Sequence, residues 1–299
     1  MHVAYSAVSG AYIPFYVGQA EGLFAQHGLD VDLSYIATGT VATNSMLTGE
    51  LQMLGMGGPS TINAVMGGAD LVMVGGLSQI AVGSIMVRDP DVQTLADLRG
   101  KRLAVSRIGS FIDTTTRRVL RLNNLVPDQD VAMVQAGGVP EIMAAVENGA
   151  ADGGLLAPPI TMEARRAGLQ ELLDVTALEL PTAQSNVVVS RAYLESNRPA
   201  VKHFLLAIAD AIALSQRDPL ETKQVLAHYA GTTDPEALEE GYQLFAQRAM
   251  SHVPLVSPQA VAADLESIVA QDPRAANARV ERFFDNSVVE ELVHDGSIS

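Results

Sequence analysis

Six short segments of the 299-residue chain place hydroxyls, glycines, rings and one guanidinium where the backbone turns from strand into helix. Ser9-Gly10-Ala11-Tyr12 offers a hydroxyl, a bare backbone and an aromatic wall, or else only the turn before a helix. Thr38-Gly39-Thr40 and Gly58-Pro59-Ser60-Thr61 read as N-caps in which one hydroxyl serves a backbone amide, while Gly39 and Gly58 leave the amides open to a ligand. Arg107 stands just after a strand and before Gly109-Ser110, a place that suits either an anion clamp or a surface ion pair. Ser110 with Asp113 three residues on is a capping box, Phe111 beside it can line a slot or join a core, and Gly138 and Pro158 mark the last two turns. The chemistry these residues offer is recognition through hydrogen bonds, close backbone approach and ring contact.

Reactive chemistry has little to draw on. Cysteine is absent, which removes disulfides, thiolate metal sites and cysteine nucleophiles. The six histidines show no ligand spacing, so no metal is expected. Neither a Gly-x-Ser-x-Gly elbow nor a Gly-x-Gly-x-x-Gly fingerprint occurs, and no cofactor is expected. Lys101, Lys202 and Lys223 fall in polar turns or helical faces, which argues against a buried Schiff-base lysine.

These segments need a scaffold, and the hydrophobic pattern supplies one. From His2 to about Arg191 short β-rich runs alternate with helices, the signature of parallel α/β units. In open sheets of that kind ligands lie beyond the carboxyl ends of strands, where helix N-termini converge. Strands are expected at 2–6, 31–36, 52–56 and 71–77, and again at 103–106, 131–135 and 153–156. Helix stops at Gly49 and Gly149 are each followed ten residues later by a proline start, Pro59 and Pro159, as two facing copies of one lobe would show. From Pro199 to about Val293 the pattern is helical, with starts at Asp218-Pro219, Asp234-Pro235 and Ser257-Pro258. The expected organisation is a discontinuous lobe one, 1–83 and 191–299, carrying both termini and the helical region. Lobe two is 84–190, and hinge strands near 84–88 and 186–190 cross between them.

Composition bounds the partners. The chain is 48% apolar and 18% charged, typical of a folded globule, and its length suits two lobes better than one core. A net charge of −15 repels phosphate backbones, so no nucleic acid is expected. No apolar run approaches bilayer length, and no long heptad suggests an oligomer seam, so a monomer is expected. The opening Met-His-Val-Ala-Tyr enters a strand at once and carries no export signal as written, which suits a trimmed mature form as well as a cytosolic chain.

The segment Tyr12-Ile-Pro-Phe-Tyr-Val-Gly-Gln-Ala-Glu-Gly-Leu-Phe-Ala-Gln-His-Gly-Leu-Asp-Val31 resembles the nitrate/sulfonate/taurine and thiamin-precursor group of ABC-transporter solute-binding proteins. Thr48-Gly-Glu-Leu51, Asp97-Leu-Arg-Gly-Lys-Arg-Leu-Ala-Val105, Glu147-Asn-Gly-Ala-Ala-Asp152 and Phe284-Asp-Asn-Ser-Val-Val-Glu-Glu-Leu292 extend the resemblance over nearly the whole chain. It implies a type II periplasmic-binding-protein clamshell, with a small-molecule ligand between the lobes, an ABC permease as transient partner and a periplasmic or membrane-associated extracellular location. Sulfonates, nitrate, pyrimidines, flavins and aromatic acids all remain open as ligands. Enzymes of the same fold, in pyrimidine-precursor and menaquinone biosynthesis, are one alternative, although the cysteine-rich motif of the former is missing. A ligand-sensing receptor component is another.

Overall fold

Runs such as Leu71-Val-Met-Val74 and Met53-Leu-Gly-Met56 are buried at every position, as in strands covered by helices on both faces. In a computed structural model, which describes residues 1–36 and 39–298, they build the first of two sheets. The chain begins with β1 (His2–Tyr5), α1 (Ile13–Ala20), α2 (Leu23–Gln26), β2 (Asp32–Tyr35), α3 (Gly39–Leu47), β3 (Met53–Met56), α4 (Gly58–Met66) and β4 (Leu71–Ile80). It then enters the second sheet through β5 (Ser84–Val87), β6 (Arg102–Val105), α5 (Phe111–Leu122), β7 (Ala132–Gln135), α6 (Val139–Glu147), β8 (Gly153–Leu156), α7 (Ile160–Arg166) and β9 (Gln170–Asp174). It returns as β10 (Pro181–Ser190) and ends in α8 (Arg191–Ser196), α9 (Arg198–Arg217), α10 (Pro219–Ala230), α11 (Pro235–Gly241), α12 (Pro258–Val269) and α13 (Ser287–His294).

The strand orders are β2-β1-β3-β10-β4 and β7-β6-β8-β5-β9. In each sheet three strands run parallel and the fourth, β10 or β5, lies antiparallel between its neighbours. Each lobe is thus completed by a strand that has just arrived from the other. The internal echo extends to the strands themselves: β6, β7 and β8 start at 102, 132 and 153, one hundred residues after β1, β2 and β3 at 2, 32 and 53. Alternate residues of each sheet feed a core on either face. Val3, Met53, Val72 and Val187 point to one side of the first sheet, and Ala4, Leu54, Met73 and Val188 to the other. The second sheet divides in the same way, with Ile85 and Leu103 opposite Met86 and Ala104.

The hinge expectation needs correcting. Residues 84–87 are β5, paired on both sides within the second sheet, and residues 186–190 belong to β10, paired with β3 and β4 in the first. By sheet pairing the second lobe therefore ends before residue 181, and the crossings are 81–83 and 175–180. These two crossings are hydrogen-bonded to each other. Ala81 N–H donates to the Leu180 carbonyl at 3.0 Å and Val175 N–H to the Gly83 carbonyl at 2.9 Å. Gly83 N–H donates to the Thr176 hydroxyl at 3.0 Å, and Val82 N–H to the Gln184 side-chain carbonyl at 2.9 Å. Gly83 has φ +147°, and a Cβ there would lie 2.6 Å from the Leu156 carbonyl oxygen, so only glycine fits this crossing.

The C-terminal helices start at the expected caps. Asp218, Asp234 and Ser257 each accept a first-turn amide with proline next in sequence. They pack on the first lobe. The buried stripe Val201, Phe204, Leu205, Ile208 and Ile212 of α9 faces α1, with Phe204 stacked on Phe24 at 4.9 Å. The π-helical turn Tyr242–Ala249 lays Phe245 against Gly10. Among the described residues no helix is long and apolar enough to cross a membrane, and no cluster of three or more His, Cys, Asp or Glu could hold a metal.

Candidate functional site

The carboxyl ends of the parallel strands in both sheets open onto one cleft of about 480 Å³. From lobe one it is lined by Ser6, Ser9, Tyr12, Tyr35, Thr43, Ser60 and Asn63, and from lobe two by Ser106, Arg107, Gly109, Ser110, Phe111 and Gly138. Apolar side chains fill the rest of the wall, among them Met56, Ile108, Val139, Leu155 and Leu156, with Val82 and Gln184 at the hinge. The volume sits within the range of small-molecule sites, and the apolar wall with few polar groups has their usual composition.

Local structure fixes the lobe-one side. Ser9 caps the 3-10 turn Gly10–Tyr12 by accepting Ala11 N–H at 3.2 Å. Below it the Tyr16 hydroxyl donates to the Ala7 carbonyl and accepts from Ser9 N–H, pinning the loop from both ends. The Tyr12 hydroxyl lies 3.0 Å from the Ser6 hydroxyl, and its ring, 3% exposed and packed over Gly55, forms part of the cleft wall. Burial pushes its phenol up to about 12, partly countered by that Ser6 contact. Tyr5 backs the wall, 5.5 Å from the ring of Tyr35 and 6.2 Å from that of Tyr12.

On the lobe-two side, Ser110 caps α5 by accepting Asp113 N–H at 3.2 Å. Its oxygen also accepts the Ser106 hydroxyl at 2.8 Å. The Asp113 carboxylate reaches back to Gly109 N–H at 2.8 Å, one residue before the reciprocal partner of a standard capping box. It is also fully buried and paired with Arg117 at 2.7 Å, which continues to Asp128. Asp113 therefore anchors a buried charge chain as well as capping a helix. Hydrogen bonds that it donates to both aspartates hold the Arg117 guanidinium above its ordinary range despite burial.

Of the residues singled out in the sequence, Ser9, Tyr12, Ser60, Arg107, Gly109, Ser110, Phe111 and Gly138 come together around the cleft. Thr38 lies outside the described residues, while Gly39 and Thr40 open α3. Four others sit behind the wall, which corrects their expected placement. A Cβ on Gly10 would lie 2.3 Å from the Phe245 ring, and one on Gly58 would lie 2.5 Å from the Ala183 Cβ. Their missing side chains permit close packing inside lobe one and do not open the backbone to the cleft. Pro59 is buried in the first turn of α4, and Pro158 is buried near Gly241 of α11.

Some lining residues escaped the sequence reading, although a signal existed for several. Ser6 and Ser106 each directly follow a first strand, β1 and β6. Tyr35 ends β2, and Asn63 is one turn along α4 from Ser60 on the same face. Val82 belongs to the crossing 81–83, and Gln184, on β10, accepts its N–H.

The lobes are drawn together over the cleft. Asn63 Nδ2 donates to the Gly109 carbonyl across it at 2.9 Å. At one rim Glu240 of α11 accepts from Thr161 at 2.7 Å and from Arg165 at 2.8 Å, both on α7, and Arg166 pairs with Asp234 and Glu236. At the other rim Arg118 donates to the Pro181 carbonyl at 2.6 Å, and Arg121 to the Ser267 carbonyl at 3.4 Å.

Comparison with known proteins adds a lineage to this geometry. The family model described as NMT1/THI5 like matches residues 10–222. YtlA of Bacillus subtilis (strain 168), named for a binding protein, is 22% identical over 253 residues, which cover 82% of this chain and 75% of YtlA. A solved protein of Bordetella bronchiseptica RB50 superposes with a TM-score of 0.84 at 17% identity, covering 99% of this chain and 97% of that one. The alkanesulfonate-binding protein SsuA of Xanthomonas axonopodis pv. citri, bound to MOPS, superposes with a TM-score of 0.78 at 21% identity, covering 94% of each chain. The fold is accordingly the two-lobed α/β clamshell of periplasmic binding proteins.

Proposed function

We propose, from the premise that the chain belongs to the NMT1/THI5-like family, that it is an extracytoplasmic solute-binding protein that captures one small organic molecule between its lobes. In this reading the closed form is what an ABC-type importer recognises. The observation that carries the proposal is the cleft itself: about 480 Å³ lined from both sheets, with the lobes joined by two short crossings that can bend while each sheet stays intact. The name and bound ligand of the SsuA structure support the reading.

The lining also favours holding a ligand over transforming it. Among the described residues it contains no histidine, lysine or carboxylate. The Tyr12 phenol, pushed up to about 12, stays protonated at neutral pH and is a poor general base. The protein is proposed to work as a monomer, since both lobes must move freely.

Native mass spectrometry of the purified protein tests the reading directly, with X-ray scattering before and after removal of any bound molecule. One ligand per monomer, released unchanged, and a larger radius of gyration once it is gone are expected. Turnover of the bound molecule on incubation, or a concentration-independent dimer whose cleft is sealed by its partner, would overturn it.

A further inference from the structure

We infer that the cleft takes an aromatic monoanion, its ring against Tyr12, Tyr35 and Phe111 and its acid group toward Arg107 and the start of α5. The inference rests on the binding-protein reading and names the ligand class for that same cleft.

Charge comes first. The chain carries 34 acidic residues against 19 basic ones, yet no carboxylate lines the cleft among the described residues, and its one charged lining residue is Arg107. A cationic ligand would find no carboxylate in the lining itself, the nearest being Glu141 beside Gly138 at the end away from Arg107. The stretch 107–128 has Arg107, Arg117, Arg118 and Arg121 against Asp113 and Asp128, a net of +2 (4 − 2) in a chain of net −15. The carboxylate nearest the start of α5, Asp113, is buried and already held by Arg117 and Gly109 N–H. The positive end of the α5 dipole and Arg107 therefore act on the same end of the cleft, while Arg121 belongs to the last turn of the helix and Arg117 is taken up by its aspartates.

Donor geometry agrees. Ser110 Oγ accepts two hydrogen bonds, from Ser106 and from Asp113 N–H, so its own proton must point elsewhere, and Ser110 lines the cleft. A ligand oxygen placed beside Arg107 would be a suitable acceptor for it.

The opposite end fixes the orientation. Glu141 stands beside Gly138 and raises the phenol of Tyr35, whose main perturbation is burial. An anion is disfavoured at that end, whereas a ring is welcome. Tyr35 is 42% exposed, with Tyr5 behind it at 5.5 Å, tilted by 30°. A ring entering beside it would cover the exposed aromatic surface in the offset or edge geometry that aromatic pairs prefer. Phe111 approaches from the other lobe, its Cβ 3.1 Å from where a side chain on Gly57 would begin.

Calorimetry of the ligand-stripped protein with 1-naphthoate, 1-naphthamide, hexanoate and 1-naphthylmethylamine tests this, alongside native mass spectrometry of the protein as purified. Naphthoate is expected to bind at least tenfold more tightly than the neutral amide, the aliphatic acid or the cation. Arg107→Gln should weaken naphthoate at least tenfold and leave the amide unchanged. Tyr35→Leu should weaken both ring compounds and spare hexanoate. Unaltered thermal unfolding of each variant shows that its fold is kept, and should Arg107→Gln not fold, Tyr35→Leu and the four-compound ranking decide alone. Equal binding of acid and amide, equal binding of hexanoate and naphthoate, or a co-purified ligand that is neutral, cationic or ring-free overturns the ligand class and leaves the binding-protein reading standing. A folded protein that carries no co-purified molecule and binds none of the four overturns both.

Discussion

Replacing Asp264 by asparagine should stabilise the protein at pH 8 and remove a pH dependence that the wild type shows between about pH 4 and 7. Asp264, on α12, is 2% exposed and sits beneath the start of β10, where the chain returns to lobe one. Burial pushes its carboxyl up from 3.8 to about 7, although hydrogen bonds from Thr182 and Ala183 N–H and the charge of Arg118 pull the other way. A group whose pKa is raised on folding binds its proton more tightly in the native state. Stability therefore falls as pH rises from the unfolded value toward the folded one and is level above it. A shift of about three units at 1.36 kcal/mol each is worth roughly 4 kcal/mol. In the neutral acid, Oδ1 lies 2.6 Å from the Thr182 hydroxyl and Oδ2 accepts Ala183 N–H at 3.0 Å. An asparagine with its NH2 toward Thr182 and its carbonyl toward Ala183 keeps both contacts without a charge. Urea unfolding of both proteins at pH 4.5, 6 and 8 isolates the effect, because carboxylates held low elsewhere, such as Asp295 at about 2, act alike in each. Because pH 4.5 already lies above the unfolded value, the stability difference should grow in favour of the variant by about 3 kcal/mol from the lowest to the highest pH. Parallel pH profiles would refute the reasoning, since they would mean that the Asp264 charge is solvated in the folded state.

Other perturbations probe the scaffold and the closure. Gly10→Ala drives a Cβ to 2.3 Å from the Phe245 ring and should cost about 1 to 3 kcal/mol by overpacking; thermal unfolding checks this, and Phe245→Leu in the same chain should recover part of the loss. Glu240→Ala removes the acceptor shared by Thr161 and Arg165 between the lobes and should weaken closure by about 1 to 2 kcal/mol. X-ray scattering should then show a larger radius of gyration for the unliganded variant, and an unchanged profile would mean that this rim does not hold the lobes.

The parts of the fold that a local signal specifies were legible. Asp218, Asp234 and Ser257 announced their helices because capping needs only a side-chain oxygen and a following proline, all within four residues. Gly49 and Gly149 announced matching helix ends because both need φ near +75° to +80°. What a strand pairs with is a different matter. Nothing local in Pro181–Ser190 says that it inserts between β3 and β4, since its partners lie more than one hundred residues away, and the hinge was therefore placed one strand too late. Gly10 and Gly58 show the same limit at the site. A glycine beside a strand end looks like room for a ligand, but at these two positions the room is taken by Phe245 and Ala183. Asp113 was legible as a cap and illegible as the buried partner of Arg117 and Asp128, because the pairing depends on how α5 packs.

The contrast between the contacts inside each lobe and those between lobes bears on how closure can be driven by a small ligand. The four apolar clusters divide by sheet, two to each, so bending at the crossings leaves all of them largely covered. The contacts described between the lobes are mostly polar: Asn63 to Gly109, Glu240 to Thr161 and Arg165, Arg121 to Ser267. Parting them exchanges protein hydrogen bonds for water, a change of about 0.5 to 1.5 kcal/mol for the neutral Asn63 bond and larger for those with a charged partner. Exposing a single buried leucine or phenylalanine would cost about 1.5 to 3 kcal/mol. A ligand can shift such an open–closed equilibrium only through contacts it makes in one state and not the other. A molecule touching Tyr12 and Ser60 on one lobe and Ser110 and Phe111 on the other makes its full set of contacts only when the lobes are together. Its differential affinity therefore comes from spanning the cleft, and truncating either wall should weaken binding and closure together.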